Sequence, residues 1–182
     1  MFLLVVFLMC LFVVIGTGVL AGLSDIRGLT IPNMYSALVI GAFVLCYAAL
    51  WLGGRDDVFA SLSSHIVGAA LVFLITLAMF MFKIIGAGDS KFATALAFWV
   101  GVKGLFPFII YMSFVGGALA LLALALQKWT PFKSPKPDSW VARVQGGESK
   151  VPYGVAIVIG ALASFAKIGY FSGDVLSSFV LQ

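Results

Sequence analysis

Two aspartates in apolar surroundings are the residues of this chain best suited to chemistry. Asp25 follows an apolar run that ends near residue 23, and Asp89 closes the tetrapeptide Gly86-Ala87-Gly88-Asp89. An ionisable group close to hydrocarbon is costly to maintain, so each aspartate is a candidate functional residue. If the two carboxyl groups meet, one ionised and one protonated, they can carry out acid–base catalysis on a water molecule.

The remaining titratable residues offer less chemistry. His65 is the only histidine, and Cys10 and Cys46 lie inside apolar runs without a CxxC pair. The sequence therefore predicts no metal site and no disulfide framework. His65 is expected at the end of its helix opposite the two aspartates, which argues against a catalytic triad. Four other acidic residues lie in polar loops, where solvated charge is expected: Asp56, Asp57, Asp138 and Glu148. Asp174 lies in the C-terminal tail.

The composition is that of an integral membrane protein. Hydrophobic residues make up 63% of the chain and charged residues only 10%, whereas soluble domains carry about 25% charged residues. The apolar runs are long and continuous, which favours transmembrane helices over a barrel of short alternating strands. The net charge of +4 comes from basic residues scattered through the loops, so we do not expect binding to nucleic acid.

Apolar segments predict an all-α polytopic membrane protein, a bundle of about six transmembrane helices in a single domain, residues 1–182. A continuous helix over residues 92–126 would reach about 52 Å, far beyond a hydrocarbon core of about 30 Å. We therefore place a break at Lys103-Gly104 and Pro107, which leaves the fourth helix short or tilted. The predicted helices cover residues 2–23, 34–52, 63–82, 86–102, 105–126 and 152–171.

The polar segment of residues 127–150 contains several prolines and glycines, and it is predicted to be a surface loop without a regular element. Alternating helices place this loop on the same side of the membrane as both aspartates. That side then carries eight basic residues against two or three on the other, which predicts that it is cytoplasmic. The eight are Arg27, Lys83, Lys91, Lys128, Lys133, Lys136, Arg143 and Lys150.

The motifs resemble a known family. Asp25 is separated from Pro32-Asn33 by six residues, and the GxGD motif of residues 86–89 is followed by Lys91. This combination resembles the type IV prepilin peptidases, which are GxGD intramembrane aspartic peptidases. Residues 151–157, Val-Pro-Tyr-Gly-Val-Ala-Ile, resemble the start of the last helix in the short members that serve tight-adherence (Flp) pili.

The resemblance implies a function and a set of site residues. Asp25 and Asp89 would be the catalytic pair, with no metal and no cofactor. The substrates would be prepilins with a short basic leader and an apolar helix, cleaved at the cytoplasmic face of the bacterial inner membrane. Longer members use a domain with CxxC pairs to methylate the product, so this chain is expected to act without methylation. Residues expected to shape the site or bind substrate are Gly86, Gly88, Lys91, Pro32 and Asn33.

Several alternatives remain open from the residues alone. The GxGD motif can simply cap the fourth helix, with Asp89 as its N-cap. The same chemistry would also serve an archaeal-type preflagellin peptidase. A small transporter or proton channel would use Asp25 and Asp89 as relay groups, and an assembly factor would use neither. Co-expression with a candidate prepilin separates these possibilities.

Overall fold

Helices form the whole regular structure of the part of the chain that can be described. A computed structural model describes residues 1–55, 57–137 and 139–179, and every regular element in these ranges is a helix. The first four are long and apolar enough to cross a membrane, and α6 is a shorter apolar helix. The predicted all-α polytopic fold is confirmed. The helices are α1 (Phe2–Gly28), α2 (Asn33–Leu52), α3 (Leu62–Met81), α4 (Ala87–Trp129), α5 (Trp140–Gln145), α6 (Tyr153–Ile168) and α7 (Gly173–Ser178).

Helix α1 is longer than predicted, since it continues to Gly28 instead of ending near residue 23. Asp25 therefore lies in its last turn and not in the following loop. Leu29 adopts a left-handed conformation with φ 51°, and its N–H donates to the Asp25 carbonyl, which ends the helix. The polar residues suggested an earlier end, but burial of Asp25 keeps this turn inside the bundle.

Helix α4 reverses direction at Gly101, whose backbone is non-helical. A Cβ at Gly88 would lie 3.0 Å from the Ile31 carbonyl, and one at Gly116 would lie 3.0 Å from the Tyr153 ring. Ile31 in turn contacts Gly154, the neighbour of Tyr153. A straight helix would separate residues 88 and 116 by about 42 Å. The chain must therefore fold back, and α4 consists of two antiparallel arms, residues 87–100 and 102–129.

The two-helix prediction for this region is correct, but the predicted position of the break is wrong. The second arm runs unbroken through Lys103, Gly104 and Pro107. Gly101 makes the turn because its φ of 60° combined with ψ of −177° is accessible to glycine and strained for other residues. Gly104 has a packing role instead, since a Cβ there would clash with the Ser164 hydroxyl.

The short arm, residues 87–100, forms the centre of the bundle. It spans about 21 Å, and α2, α3 and α6 pack against α4. The Trp99 indole donates to the Val39 carbonyl on α2 at 3.0 Å. More than half of this arm is buried: Ser90, Phe92, Ala93, Ala95, Leu96, Ala97, Trp99 and Val100.

A layer of aromatic side chains closes the end of the bundle near Gly101. Phe59 lies 5.5 Å from Tyr170, 5.8 Å from Trp99 and 5.9 Å from Phe43, measured between ring centroids. The Tyr170 hydroxyl donates to the Trp99 carbonyl at 2.7 Å. His65 packs against this aromatic layer, with its ring 5.0 Å from Phe43. This placement, in the first turn of α3, agrees with the prediction that it lies away from the aspartates.

The prediction that residues 127–150 lack a regular element is wrong over α5. Ser139 caps this helix by accepting the Ala142 N–H at 3.2 Å, and Trp140 and Val144, one turn apart, are buried against the end of α4. The Arg143 guanidinium donates to the Arg27 carbonyl at the end of α1, at 2.8 Å. The segment therefore packs onto the same end of the bundle as Asp25. Of the acids expected to be solvated, Asp56 and Asp138 lie outside the described residues.

At the opposite end, Arg55 ties the α2–α3 connection to α7. It is only 5% exposed, and it donates to both carboxylate oxygens of Asp57 and to the Ser178 carbonyl and hydroxyl. Its guanidinium also lies 4.2 Å from the centre of the Phe179 ring. The hydrogen bonds from Arg55 lower the pKa of the Asp57 carboxyl. Asp57 is therefore a structural partner and not simply a solvated charge.

Removing this guanidinium should destabilise the fold without affecting the aspartates. Arg55→Gln removes the charged donor to Ser178 and Asp57 and the contact with the Phe179 ring, and each lost hydrogen bond costs about 0.5–1.5 kcal/mol. We expect a lower Tm of the detergent-solubilised protein, measured by a thermal-shift assay. Asp57→Asn is the milder comparison, because Asp57 is largely exposed. An unchanged Tm for Arg55→Gln would contradict this role.

Candidate active site

Asp25 is a buried acid held by the start of a distant helix. Only 3% of its surface is exposed, and its Oδ2 accepts the Gly154 N–H at 2.6 Å. Gly154 is the second residue of α6, and the first N–H groups of a helix have no partner within the helix. One of these free donors is therefore directed at the carboxyl group, where the positive end of the α6 dipole also lies.

Position 154 requires glycine because α6 lies very close to α1 and to Ile31 here. A Cβ at this position would lie 3.0 Å from three atoms, Asp25 Cβ, Asp25 Oδ2 and Ile31 Cδ1. Such contacts are tighter than side chains normally tolerate, so only the absence of a side chain allows the hydrogen bond. Sequence reasoning did not place Gly154 among the site residues. The available signal was a glycine directly after Pro152-Tyr153 at the start of an apolar helix.

Asp89 is held in a similar way by its own helix start. Gly86 is the N-cap of α4 and Asp89 is the third helical residue, whose Oδ2 accepts the Gly86 N–H at 2.8 Å. The alternative that Asp89 is itself the N-cap is therefore wrong by three positions, although its side chain does cap the helix as in a capping box. Each aspartate thus has one carboxylate oxygen engaged by a backbone N–H.

Gly88 allows α4 to touch the α1–α2 connection. A Cβ at Gly88 would lie 3.0 Å from the Ile31 carbonyl and 3.5 Å from its Cβ. Ile31 also contacts Gly154. It therefore lies between Gly88, which precedes Asp89, and Gly154, whose N–H binds Asp25. The contact brings the last turn of α1 and the first turn of α4 to the same place.

The Pro-Asn and GxGD motifs are joined by a hydrogen bond. The Lys91 ammonium donates to Asn33 Oδ1 at 3.1 Å, and both side chains are exposed. Asn33 is the first residue of α2, and Pro32 occupies its N-cap position. Pro32 is exposed and sets the start of α2, while Lys91 and Asn33 connect α2 to α4.

A buried hydroxyl pair next to Asp89 was not predicted. Ser90 Oγ and Thr76 Oγ1 lie 2.9 Å apart, and Thr76 Oγ1 also donates to the Val72 carbonyl at 2.8 Å. The pair fixes the first turn of α4 against α3. Serine and threonine are common in membrane helices, so the sequence alone gives no signal that distinguishes these two.

Both aspartates line one cavity of about 480 Å³ at this end of the bundle. Ile31, which contacts both Gly88 and Gly154, brings the two acid-bearing helix ends to this cavity. The walls come from the end of α1, the α3–α4 connection and the segment before α6. Besides Asp25 and Asp89, the cavity is lined by Leu29, Phe80, Lys83, Ile84, Ile85, Gly86, Ser149, Lys150, Val151 and Tyr153.

The two aspartate motifs of the sequence thus contribute to the wall of one cavity. A sequence profile of the type IV leader peptidase family matches residues 2–121. The chain belongs to the type IV leader peptidase family. The match takes in α1, α2, α3 and most of α4, and so includes both aspartate motifs. This membership makes the chain a peptidase of the leader-peptidase type and a multi-pass membrane protein.

The remaining comparisons add no relatives. Neither the curated proteins nor the solved structures contain a match to this chain. The residues of this leader peptidase that lie beyond the matched range include Gly154 and the cavity-lining residues Ser149, Lys150, Val151 and Tyr153. Their assignment to the site therefore rests on the structure, through the hydrogen bond to Asp25 and the shared cavity.

Proposed function

We propose that this leader peptidase is an aspartic endopeptidase that removes the short leader of type IV or Flp-type prepilins at the cytoplasmic membrane face. Asp25 and Asp89 form its acid–base pair. The observation that carries the proposal is that two carboxyl groups from different helices line one cavity, each with one oxygen held by a backbone N–H. Family membership supplies the reaction class.

The geometry supports a general acid–base mechanism. Two close carboxyls cannot both ionise easily, so the pair shares one proton. The ionised carboxyl takes a proton from water while the water oxygen bonds to the scissile carbonyl carbon, and the protonated carboxyl donates to the carbonyl oxygen. When the tetrahedral intermediate collapses, the C–N bond breaks and the proton taken from water passes to the leaving nitrogen. The donating carboxyl recovers its proton from the intermediate's hydroxyl.

The site suits a substrate that lies in the bilayer. Phe80 and Ile84 line the cavity, and the apolar side chains of Phe80, Phe82 and Ile84 are exposed on the surface of the bundle. A prepilin would hold its apolar helix in the membrane and its basic leader in the cytoplasm. The bond between leader and helix then lies at the membrane boundary, next to the end of α1 and the start of α4.

Co-expression tests the proposal directly. The wild-type enzyme is produced with the prepilin encoded nearest to it, and the N-terminus of the recovered pilin is sequenced. We expect cleavage after a glycine at the end of the leader. An uncut prepilin in the presence of folded, membrane-inserted enzyme would contradict the function.

The orientation makes a separate prediction. Asp25, Asp89 and helix α5 lie at one end of the bundle, and the excess of basic residues in the segments there favours the cytoplasm. Ser134→Cys at that end should react with a membrane-impermeant maleimide only after the inner membrane is opened. Ser61→Cys at the other end should react in intact spheroplasts. Labelling of Ser134→Cys from the periplasm would reverse the topology.

A further inference from the structure

We propose that the backbone of Ser149 and Val151 is a docking edge, to which the substrate adds as an extended strand beside the two aspartates. The inference rests on the proposed peptidase function and deepens it, because it names how the substrate is held. The residues concerned belong to a connecting segment, residues 148–152, between α5 and α6. Ser149, Lys150 and Val151 line the same cavity as Asp25 and Asp89.

One side of this connecting segment is anchored to the bundle. The Glu148 carbonyl accepts from Gln127 Nε2 at 3.0 Å, and the Lys150 carbonyl accepts from Trp140 Nε1 at 2.9 Å. Carbonyls two residues apart that face the same side are typical of an extended strand. Pro152 also restricts the residue before it, Val151, to extended conformations. The segment lies outside the regular elements, and these two hydrogen bonds hold one side of its backbone to the bundle.

The other edge is free. Within the described part of the chain, the N–H and C=O groups of Ser149 and Val151 have no hydrogen-bond partner. In an extended backbone, groups on alternate residues face opposite sides, so we expect those of Ser149 and Val151 to face away from Gln127 and Trp140. Ser149 is exposed and Val151 is half-buried, so another chain can reach them. Unpaired strand edges of this kind bind extended peptides through main-chain hydrogen bonds.

The substrate of the proposed reaction needs such an edge. A peptide bond inside an α-helix has its carbonyl engaged and its carbon covered by the surrounding turns, so the residues at the cleavage point must leave the helix before water can attack. Near the hydrocarbon, the backbone groups released in this way need new partners. The docking edge supplies two donors and two acceptors next to the catalytic pair, which would stabilise the unwound segment where it is cut.

Proline substitutions test the docking edge on a prepilin that the wild-type enzyme cleaves. Ser149→Pro and Val151→Pro each remove one N–H from the free edge, and we expect KM to rise about fivefold to tenfold in each. Lys150→Pro removes an N–H that is expected to face the anchored side. Its KM should therefore rise by less than half of the increase expected for Ser149→Pro or Val151→Pro. Ser134→Pro, in the exposed part of the 127–150 segment, is the control and should leave KM and kcat unchanged.

Cross-linking gives a readout that does not depend on turnover. The Asp25→Asn/Asp89→Asn enzyme, with Cys10→Ala and Cys46→Ala, carries Ser149→Cys and is mixed with prepilins that have single cysteines along the region of the cleavage point. Strand pairing predicts disulfides at every second substrate position. Disulfides at every third or fourth position would indicate a docked helix, and their complete absence would show that the substrate lies elsewhere.

The outcomes separate this inference from the proposed function. If the wild-type enzyme cleaves no prepilin, the peptidase assignment fails and the docking edge fails with it. If cleavage is normal but Ser149→Pro, Val151→Pro and Lys150→Pro have equal effects on KM, only the docking edge is overturned. Folding of each variant is checked by its Tm in detergent. If a proline variant does not fold, cross-linking with the Ser149→Cys enzyme tests the docking edge in its place.

Discussion

Asp25→Asn and Asp89→Asn are each expected to lower the cleavage rate by on the order of 10³-fold or more, because general acid–base catalysis needs both carboxyls. Asparagine keeps the shape of aspartate, and its amide oxygen can still accept the N–H of Gly154 or Gly86. It cannot exchange a proton with water or with the scissile carbonyl. The rate is measured from the disappearance of the prepilin in membranes that contain each variant at equal amounts.

Asp174→Asn is the matched control for this prediction. Asp174 is an exposed carboxylate in the first turn of α7, so its removal changes the charge of the protein without touching the cavity. Cleavage by Asp174→Asn should equal that of the wild type. Either Asp25→Asn or Asp89→Asn with near-normal turnover would exclude the carboxyl pair as the catalytic group.

Gly154→Ala should lower kcat by about 10²-fold, because a displacement of a catalytic group by about 1 Å has an effect of this size. The added methyl group would lie 3.0 Å from the Asp25 carboxylate oxygen and from Ile31, so either α6 or the last turn of α1 must shift. Both shifts break the geometry of the Gly154 N–H bond and turn Asp25 away from Asp89. The measurement is a determination of kcat and KM in detergent micelles.

Gly41→Ala is the matched control, because it adds the same methyl group at a position where there is space for it. Gly41 lies within α2, and a Cβ there has nothing within 4 Å. Its kcat should be that of the wild type, and alanine is also the better helix former. If Gly154→Ala retains the same kcat as Gly41→Ala, then Gly154 does not position Asp25. A normal Tm with a lowered kcat would distinguish a positioning role from a general loss of folding.

The parts of the site that the sequence predicts are those marked by charge. Asp25 and Asp89 are conspicuous because an acid beside an apolar run is costly, and their pairing follows from motif resemblance. The Gly154 contact is different, since it joins residues 129 positions apart through a backbone N–H that carries no sequence signature. Which N–H of a helix start meets a carboxyl group depends on how α1 and α6 pack.

The helix limits also divide into those that the sequence marks and those that depend on packing. Hydropathy predicts the limits of α2 and α3 to within one residue, because long apolar runs end sharply at polar residues. The position of the turn in α4 is predicted wrongly, because the sequence offers both Gly101 and Gly104 as places for a break. The packing of Gly104 against Ser164 distinguishes the two only in the folded protein. Helix α5 is missed because its stability comes from burying Trp140 and Val144, whereas the prolines nearby suggest irregular structure.

The shortness of the central arm of α4 has a consequence for the permeability of the membrane. A helix of about 21 Å does not fill the depth of the membrane, so we expect the cavity at its N-terminal end to be open to water. Protons and ions at its base are separated from the opposite membrane surface by less than a full hydrocarbon thickness of about 30 Å. The aromatic layer of Phe43, Phe59, Trp99 and Tyr170 fills the remaining depth with tightly packed rings. We therefore expect this layer to act as a seal, so that the protein can admit water for hydrolysis while the ion gradients of the cell are maintained.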